Sequence, residues 1–430
     1  MFSTVGMTKN SAKYCAYGTA LALLLLFSIR LRTPMMRRSG EPLSTTTKLS
    51  FPASYCTSSS IHANCFFSRS LCYNISSNQW ETSSLPFFNW TGVSLRARGS
   101  LFRDAAHHAT CNAPFVPKLR SSLPFDSAYW VNGTSVLSCI WVNVFGHIFI
   151  EMMLPAWMAM RNLADRLHFS DQNITYILED RSSSPLATPT FSLLSHQPIL
   201  QFNSLVQEGK NRGKSHVCFD RLIVGYRLQS SLEYAHNVAH LENGDLARYR
   251  DAIKTLHGLP LTVNMSANAC IALVVQRAHT RQILADSESE IVKILRERTL
   301  CTVKVATFDG IPILDQVRLV AMASIFVHVS GSGSHQFMWL PDGAASLVIV
   351  HPRLGLHAVG NGVQGAGGPI LNEYLCFRHP TILCVSAGAT ATSDSSGSTI
   401  RVDTGTFSNA LDMIKLWQHR GKFDPRDPSE

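Results

Sequence analysis

The chain has 430 residues, 45% of them hydrophobic, and a formal net charge of +9. That length can bury a large core and leaves room for two lobes. The charge excludes a nucleic-acid reading: Lys9, Lys13, Arg30, Arg32, Arg37 and Arg38 all precede the first acid, Glu41, and without those six the 38 basic residues fall to 32 against 29 acids, whereas a nucleic-acid binder carries its excess on the folded domain.

Those six charges flank "YCAYGTALALLLLFSI", Tyr14 to Ile29, which contains no charge. The run is slightly short for a span of ~20 residues and long for a signal-peptide core. No small-residue cleavage site follows, so residues 14–29 read as an uncleaved signal anchor behind a cytoplasmic tail, 1–13; a removed signal peptide is the alternative. The flanking arginines by themselves favour a cytoplasmic body. Five sequons argue the other way: Asn74, Asn89, Asn132, Asn173 and Asn264 all lie after the anchor and none before it. Ten cysteines after Cys15 are compatible with an oxidising lumen, and no C-x-x-C or H-E-x-x-H pattern supports a metal site. The expectation is a single-pass membrane protein of the Golgi or endoplasmic reticulum with a luminal body.

Residues 30–104 are rich in Ser, Thr, Asn and Pro and predict a stem, pinned locally by Cys56, Cys65 and Cys72. A first lobe is expected over 105–262. It contains a strand-like "VLSCIWV" (Val136–Val142), an apolar helix from Phe145 to Leu163, and further strands "ITYILED" (Ile174–Asp180) and "LIVGY" (Leu222–Tyr226). A second lobe over 263–400 opens on "ACIALVVQ", a continuous apolar run of the kind buried in a parallel sheet. Ser287 with Glu290 predicts a capping box. The strand "CTVKVAT", the helix "ILDQVRLVAMA", the strand "IFVHVS", a short helix at His335–Leu340 and the strand "SLVIVH" follow. This alternation predicts a Rossmann-like parallel sheet. Residues 401–430 are expected to hold a closing amphipathic helix from Phe407 to Trp417 and a tail.

Three places carry candidate chemistry. "SGSGSH", Ser330–His335, leaves a parallel strand for a helix with almost no side chains, where backbone N–H groups approach a phosphate. Arg277 and Arg281, in "VVQRAHTRQIL", also follow a strand and precede a helix; either they are solvated surface arginines or they present fixed forks of donors to phosphate oxygens. His147 and Glu151, four residues apart on one face of the predicted helix, form either a structural hydrogen bond or a pair that acts on an acceptor hydroxyl. "GNGVQG" (Gly360–Gly365) matches a dinucleotide fingerprint but follows a poor strand and opens no helix. "SGSGSH" does not match a nucleophile elbow.

Taken together, these blocks resemble glycosyltransferase family 61. "NVFGHIFIEMMLP" is similar to the family's first block through Asn143, His147, Glu151, Leu154 and Pro155. "VVQRAHTRQIL" is similar to the second through Arg277 and Arg281. The segment from "DQVRLVAMASIFVHVSGSGS" to "WLPDGAASLVIVHP" is similar to the third, and "CFDRLIVG" to a weaker fourth. One departure stands out: Ser330, followed by Gly331 and Ser332, replaces the histidine of the family's His-Gly-Ala motif, with His328 and His335 nearby as substitutes.

The resemblance implies a GT-B-like α/β architecture of two Rossmann-like lobes around a central cleft. It implies an inverting transferase that moves GlcNAc or a pentose from a UDP-sugar to a glycan or glycoprotein hydroxyl, without a cofactor or a metal; no Asp-x-Asp occurs in the chain. His147 and Glu151 would be catalytic. Arg277, Arg281, Ser330, Gly331, Ser332, Gly333 and His335 would hold the nucleotide-sugar, with Asn143 and His328 in the cleft. The altered motif leaves a rival reading, a luminal glycan-binding or scaffolding protein that has lost turnover.

Overall fold

The computed structural model describes residues 54–56, 65–83, 117–140, 143, 145–167, 174–180, 184–224, 245–262, 270–278, 281–350, 381–391 and 399–420. Tyr14–Ile29, the sequons at Asn89, Asn173 and Asn264, and "GNGVQG" lie outside them. Among the described residues, no helix is long and apolar enough to cross a membrane.

The architecture is mixed α/β, built on two sheets. The first contains β1 (Ser54–Cys56), β2 (Cys65–Ser68), β3 (Leu71–Asn74), β4 (Gln79–Thr82), β5 (Lys118–Leu119), β6 (Ala128–Ile140), β7 (Ile174–Asp180), β8 (Leu200–Gln201) and β9 (His216–Val224). Strand β6 is flanked in parallel by β7 and β9, while β2 and β3 run antiparallel to β9. Its helices are α1 (Leu154–Leu167), α2 (Ala187–Phe191), α3 (Phe202–Asn211) and α4 (Asp245–Leu256).

Strands β1 to β4, inside the segment expected to be stem, therefore belong to this sheet. Strands of three or four residues are too short to display a period in sequence, yet Phe67, Leu71 and Trp80 pack with Phe202 of α3 and Phe219 of β9. The Trp80 and Phe202 rings stack at 5.3 Å. Cys72 is not a local pin: it pairs with Cys218, 146 residues away, across the directly opposed positions of β3 and β9.

The second sheet contains β10 (Ile271–Gln276), β11 (Gln282–Ile283), β12 (Thr302–Thr307), β13 (Ile325–Val329), β14 (Ala345–Val350), β15 (Leu383–Ala391) and β16 (Thr399–Val402), in the order β11-β16-β15-β14-β13-β10-β12. From β12 to β15 every pairing is parallel, and the chain order within it is the 2-1-3-4-5 of a doubly wound sheet. Strand β16 turns antiparallel to β15. Helices α5 (Ala285–Arg298), α6 (Ile313–Ala321) and α7 (Thr404–Arg420) complete the unit. The expected capping box is not used: α5 starts at Ala285 after Leu284, and Ser287 lies buried inside its first turn, where its Oγ accepts the Val402 N–H at 3.4 Å. A disulfide from Cys270 to Cys301 joins the approaches to β10 and β12.

The period-2 alternation of buried strands divides the core. Ala272 and Val274 face an outer cluster with Ile291 and Leu295 of α5 and Phe407, Leu411 and Ile414 of α7. Leu273, Val275 and Phe326 face the other way, into one continuous cluster with Val136 and Ile140 of β6, Trp157 of α1 and Tyr249 of α4. That shared cluster lies between the two sheets and brings their helices together.

Candidate active site

In a doubly wound sheet, ligands bind at the carboxyl ends of the strands, where the strand order reverses. Here that point lies between β10 and β13, and the two loops that leave it are Arg277–Arg281 and Ser330–Gly331. The two arginines and the glycine-serine loop, 49 residues apart, converge there: Arg281 donates Nη1 to the Ser330 carbonyl oxygen at 2.9 Å. Ser330 is itself fixed by its N–H to the Ile349 carbonyl at 3.0 Å.

Gly331 is required by both conformation and space. Its φ is +143°, and a Cβ there would stand 2.5 Å from Nη1 of Arg277 and 2.6 Å from Nη1 of Arg281. Among the described residues neither guanidinium forms an ion pair within 4.0 Å, and Nη1 of Arg277 is buried with no hydrogen bond. Burial depresses the pKa of both groups, and Arg281 depresses that of Arg277 further, while Asp309 opposes this. Two half-buried guanidiniums held side by side, with neither in direct contact with a carboxylate among the described residues, have the donor geometry and charge to take a multiply charged anion.

Gln276, the last residue of β10, shapes this loop. Its Oε1 accepts N–H groups from Arg277 (3.1 Å) and Ile283 (2.8 Å), and its Nε2 donates to the Ile283 carbonyl and to Glu288 Oε2, both at 2.8 Å. With its two ends clamped, the loop places Arg281 at φ +56°, a left-handed conformation rare for a non-glycine residue and concentrated at functional sites. Nothing in the sequence singled out Gln276. A polar residue closing an apolar strand was the available signal.

The remaining predicted residues are placed as follows. Ser332 opens, and Gly333 and His335 lie within, a 3₁₀ helix spanning Ser332–Trp339. Gly333 is exposed and meets nothing within 4 Å of an added Cβ, whereas His335 is buried. His328 is not in the loop. It is buried in β13, stacked on Phe326 at 4.5 Å, with Nε2 2.9 Å from Ser346 Oγ, and burial lowers its pKa to about 3, so the ring is neutral. Asn143 is exposed after β6, and its Oδ1 accepts the Ser184 hydroxyl at 2.7 Å.

His147 ends a short α-helix, Phe145–His147, and Glu151 lies in a π-helix, Ile148–Met153, that runs into α1. The expected face of a 3.6-period helix is therefore replaced by a wider turn, a form frequent at functional sites. Phe149, between the two residues, stacks on Phe145 at 5.7 Å and meets Trp339 at 4.8 Å and Tyr249 at 5.6 Å. Trp339 ends the 3₁₀ helix that follows Gly331, so the segment of His147 and Glu151 is packed directly on that helix.

Residues 145–348 match the family model described as Glycosyltransferase 61. That match supports glycosyltransferase family 61. The matched span runs from the π-helical segment through both arginines and Gly331 to β14, so every convergent residue described above lies inside it. The comparison with curated proteins gave no match. The match supports a glycosyltransferase, an activity that implies a sugar donor and an acceptor, and the mixed α/β scaffold is compatible with it.

A further buried group near the domain's third block escaped the sequence reading. Arg250 of α4 donates through Nη2 to Asp251 and Asp342, both at 2.6 Å, and through Nη1 to the Leu340 carbonyl at 3.3 Å. One turn on, Lys254 is fully buried with no hydrogen bond from its amine, and burial, then Arg250, push its pKa down to about 7.

Proposed function

We propose that the chain is an inverting transferase that moves GlcNAc or a pentose from a UDP-sugar to a hydroxyl of a glycan or glycoprotein. The observation that carries this reading is the pair of guanidiniums converging on Gly331 at the switch point, neither of them in an ion pair within 4.0 Å among the described residues. They suit a diphosphate, whose charge grows as the sugar departs. In this reading the two sheets are the lobes of a GT-B-like architecture, with the donor on the second sheet and the acceptor near Asn143, His147 and Glu151.

The acceptor oxygen attacks the anomeric carbon from the face opposite the diphosphate. The bond from that carbon to the β-phosphate oxygen breaks, and its electron pair leaves with UDP. The acceptor proton passes to Glu151 or His147. Arg277 and Arg281 hold the departing diphosphate and supply counter-charge without a cofactor. The apolar run at 14–29, read as a signal anchor, and the five sequons after it support a reaction in the lumen of the Golgi or endoplasmic reticulum.

The test is release of UDP from a panel of UDP-sugars by the soluble body, with and without glycan acceptors. Transfer with inverted stereochemistry is expected. Ser330, in the place of the family's histidine, motivates the alternative of an inactive glycan-binding protein. That alternative predicts UDP binding with neither hydrolysis nor transfer.

A further inference from the structure

Asp309 stands beside the proposed diphosphate site and is only partly used. Strands β10 and β12 are parallel neighbours in register at Gln276 and Thr307, so the loops bearing Arg277 and Asp309 leave the sheet at the same height, about 5 Å apart. Asp309 occupies the second position of a β-turn closed by the Ile311 N–H to the Phe308 carbonyl at 3.1 Å, and Gly310 at φ +78° supplies the left-handed third position. Its Oδ2 accepts the Ala278 N–H at 3.1 Å and the Thr307 hydroxyl at 3.2 Å. These two bonds aim the carboxylate along the arginine loop. Its Oδ1 accepts nothing among the described residues, although the residue is exposed.

We propose that Asp309 binds the ribose of the nucleotide donor, with Oδ1 accepting a hydroxyl of the 2′,3′-diol. This rests on the diphosphate reading of Arg277 and Arg281. The geometry follows from the topology. The anion site lies on the β13 side of β10 and Asp309 on the β12 side, one strand away. In doubly wound sheets that bind nucleotides, the phosphates sit over the first strand's loop and an acid at the end of the neighbouring strand takes the ribose. A carboxylate already held by two donors loses little freedom when it accepts a third, and the ribose is the only hydrogen-bonding diol of a nucleoside diphosphate that adjoins its phosphates.

The experiment measures affinities of UDP, 2′-deoxy-UDP and 3′-deoxy-UDP for the wild type, Asp309→Asn, Asp309→Ala and the Arg277→Ala/Arg281→Ala double variant, by calorimetry. Asp309→Asn keeps an oxygen for Ala278 and Thr307 while placing an amide where Oδ1 stood. The wild type is expected to favour UDP over at least one deoxy form by roughly 10-fold or more, the value of one charge-assisted hydrogen bond. That ratio should fall to near one in both Asp309 variants and persist, at weaker absolute affinity, in the arginine double variant. Taking a ratio on each protein removes any general loss from loosening the loop. Equal affinities in the wild type, or a preference that survives in both Asp309 variants, overturn the assignment alone. Nucleotide affinity unchanged by the arginine double variant overturns the diphosphate reading, and no nucleoside diphosphate binding at all overturns both.

Discussion

Arg281 reaches from the loop after β10 to the backbone carbonyl of Ser330 after β13, 2.9 Å away, and so ties together the two loops that flank the switch point. An arginine held by a neutral carbonyl keeps its full charge for a ligand. Replacing Arg281 with alanine should remove both the tie and half of the proposed anion receptor. UDP affinity should fall by about 1.5–3 kcal/mol, the range for a hydrogen bond to a charged group. Circular dichroism should be unchanged, since Arg281 packs into neither apolar cluster. Unaltered affinity in the Arg277→Ala/Arg281→Ala double variant would remove both from the site.

Gly331→Ala tests the same receptor from its other side. The added methyl would meet the Nη1 atoms of both arginines, and a left-handed φ adds about 1–3 kcal/mol of strain. Both clashing atoms are the ends of long side chains, so the guanidiniums are displaced while the sheet stays folded. Calorimetry should find UDP affinity reduced in a protein that still melts cooperatively. A variant that binds UDP as the wild type does would show that the arginines do not need this approach.

Glu151→Gln addresses the first block. The amide keeps the shape but cannot serve as a base, and loss of such a step costs about 10²–10⁴-fold in rate. Turnover should drop while UDP affinity and melting temperature hold. A lowered melting temperature, with activity reduced only in proportion to folded protein, would instead assign Glu151 a structural hydrogen bond.

Lys254 predicts a pH dependence of stability. Its folded pKa of about 7 lies below the ordinary value of 10.5, so between these values the unfolded chain binds the proton and the folded one does not. Stability therefore rises with pH from about 7 to about 10, and the cost of the buried amine is complete below pH 7. Asp251 and Asp342 soften that cost and Arg250 adds to it. Lys254→Met, which fills similar space without a charge, should raise the melting temperature at pH 6–7 and flatten its slope above pH 7. A slope identical to the wild type's would mean that the amine is solvated.

Asn132 and Asn74 divide the described sequons. Asn132 is exposed on a β-bulge of β6, where the register shifts between Val131 and Thr134 around Gly133 at φ +82°. The Asn74 amide is engaged: Oδ1 accepts the N–H groups of Ser76 and Ser77, and Nδ2 donates to Glu81 at 3.3 Å. In protein secreted from a eukaryotic host, Asn132→Gln should remove one step of the endoglycosidase mobility shift and Asn74→Gln should not. No shift in the wild type would contradict a luminal body.

Much of the second sheet was legible in sequence because each strand buried on both faces is a continuous apolar run, and each helix between them carries its own period. Ile174–Asp180 has the same bounds in the sequence reading and in the structure. Arg277, Arg281 and the glycine-serine loop were also legible, as side chains and gaps placed at strand ends. What the sequence could not express is which loops meet. The convergence on Gly331 depends on β10 and β13 being neighbours, and the roles of Gln276 and Asp309 depend on hydrogen bonds across 7 and 31 residues. Strands β2 to β4 were hidden because four residues show no period, and only pairing with β9 and the Cys72–Cys218 bond reveals them as sheet. The π-helical turn at Glu151 and the buried amine of Lys254 are likewise set by packing, Phe149 against Trp339 and α4 against the turn at Asp342. Local composition sets which elements form. Long-range contact sets which of their side chains share a site, because burial and hydrogen-bond partners are properties of the assembled core and not of any segment within it.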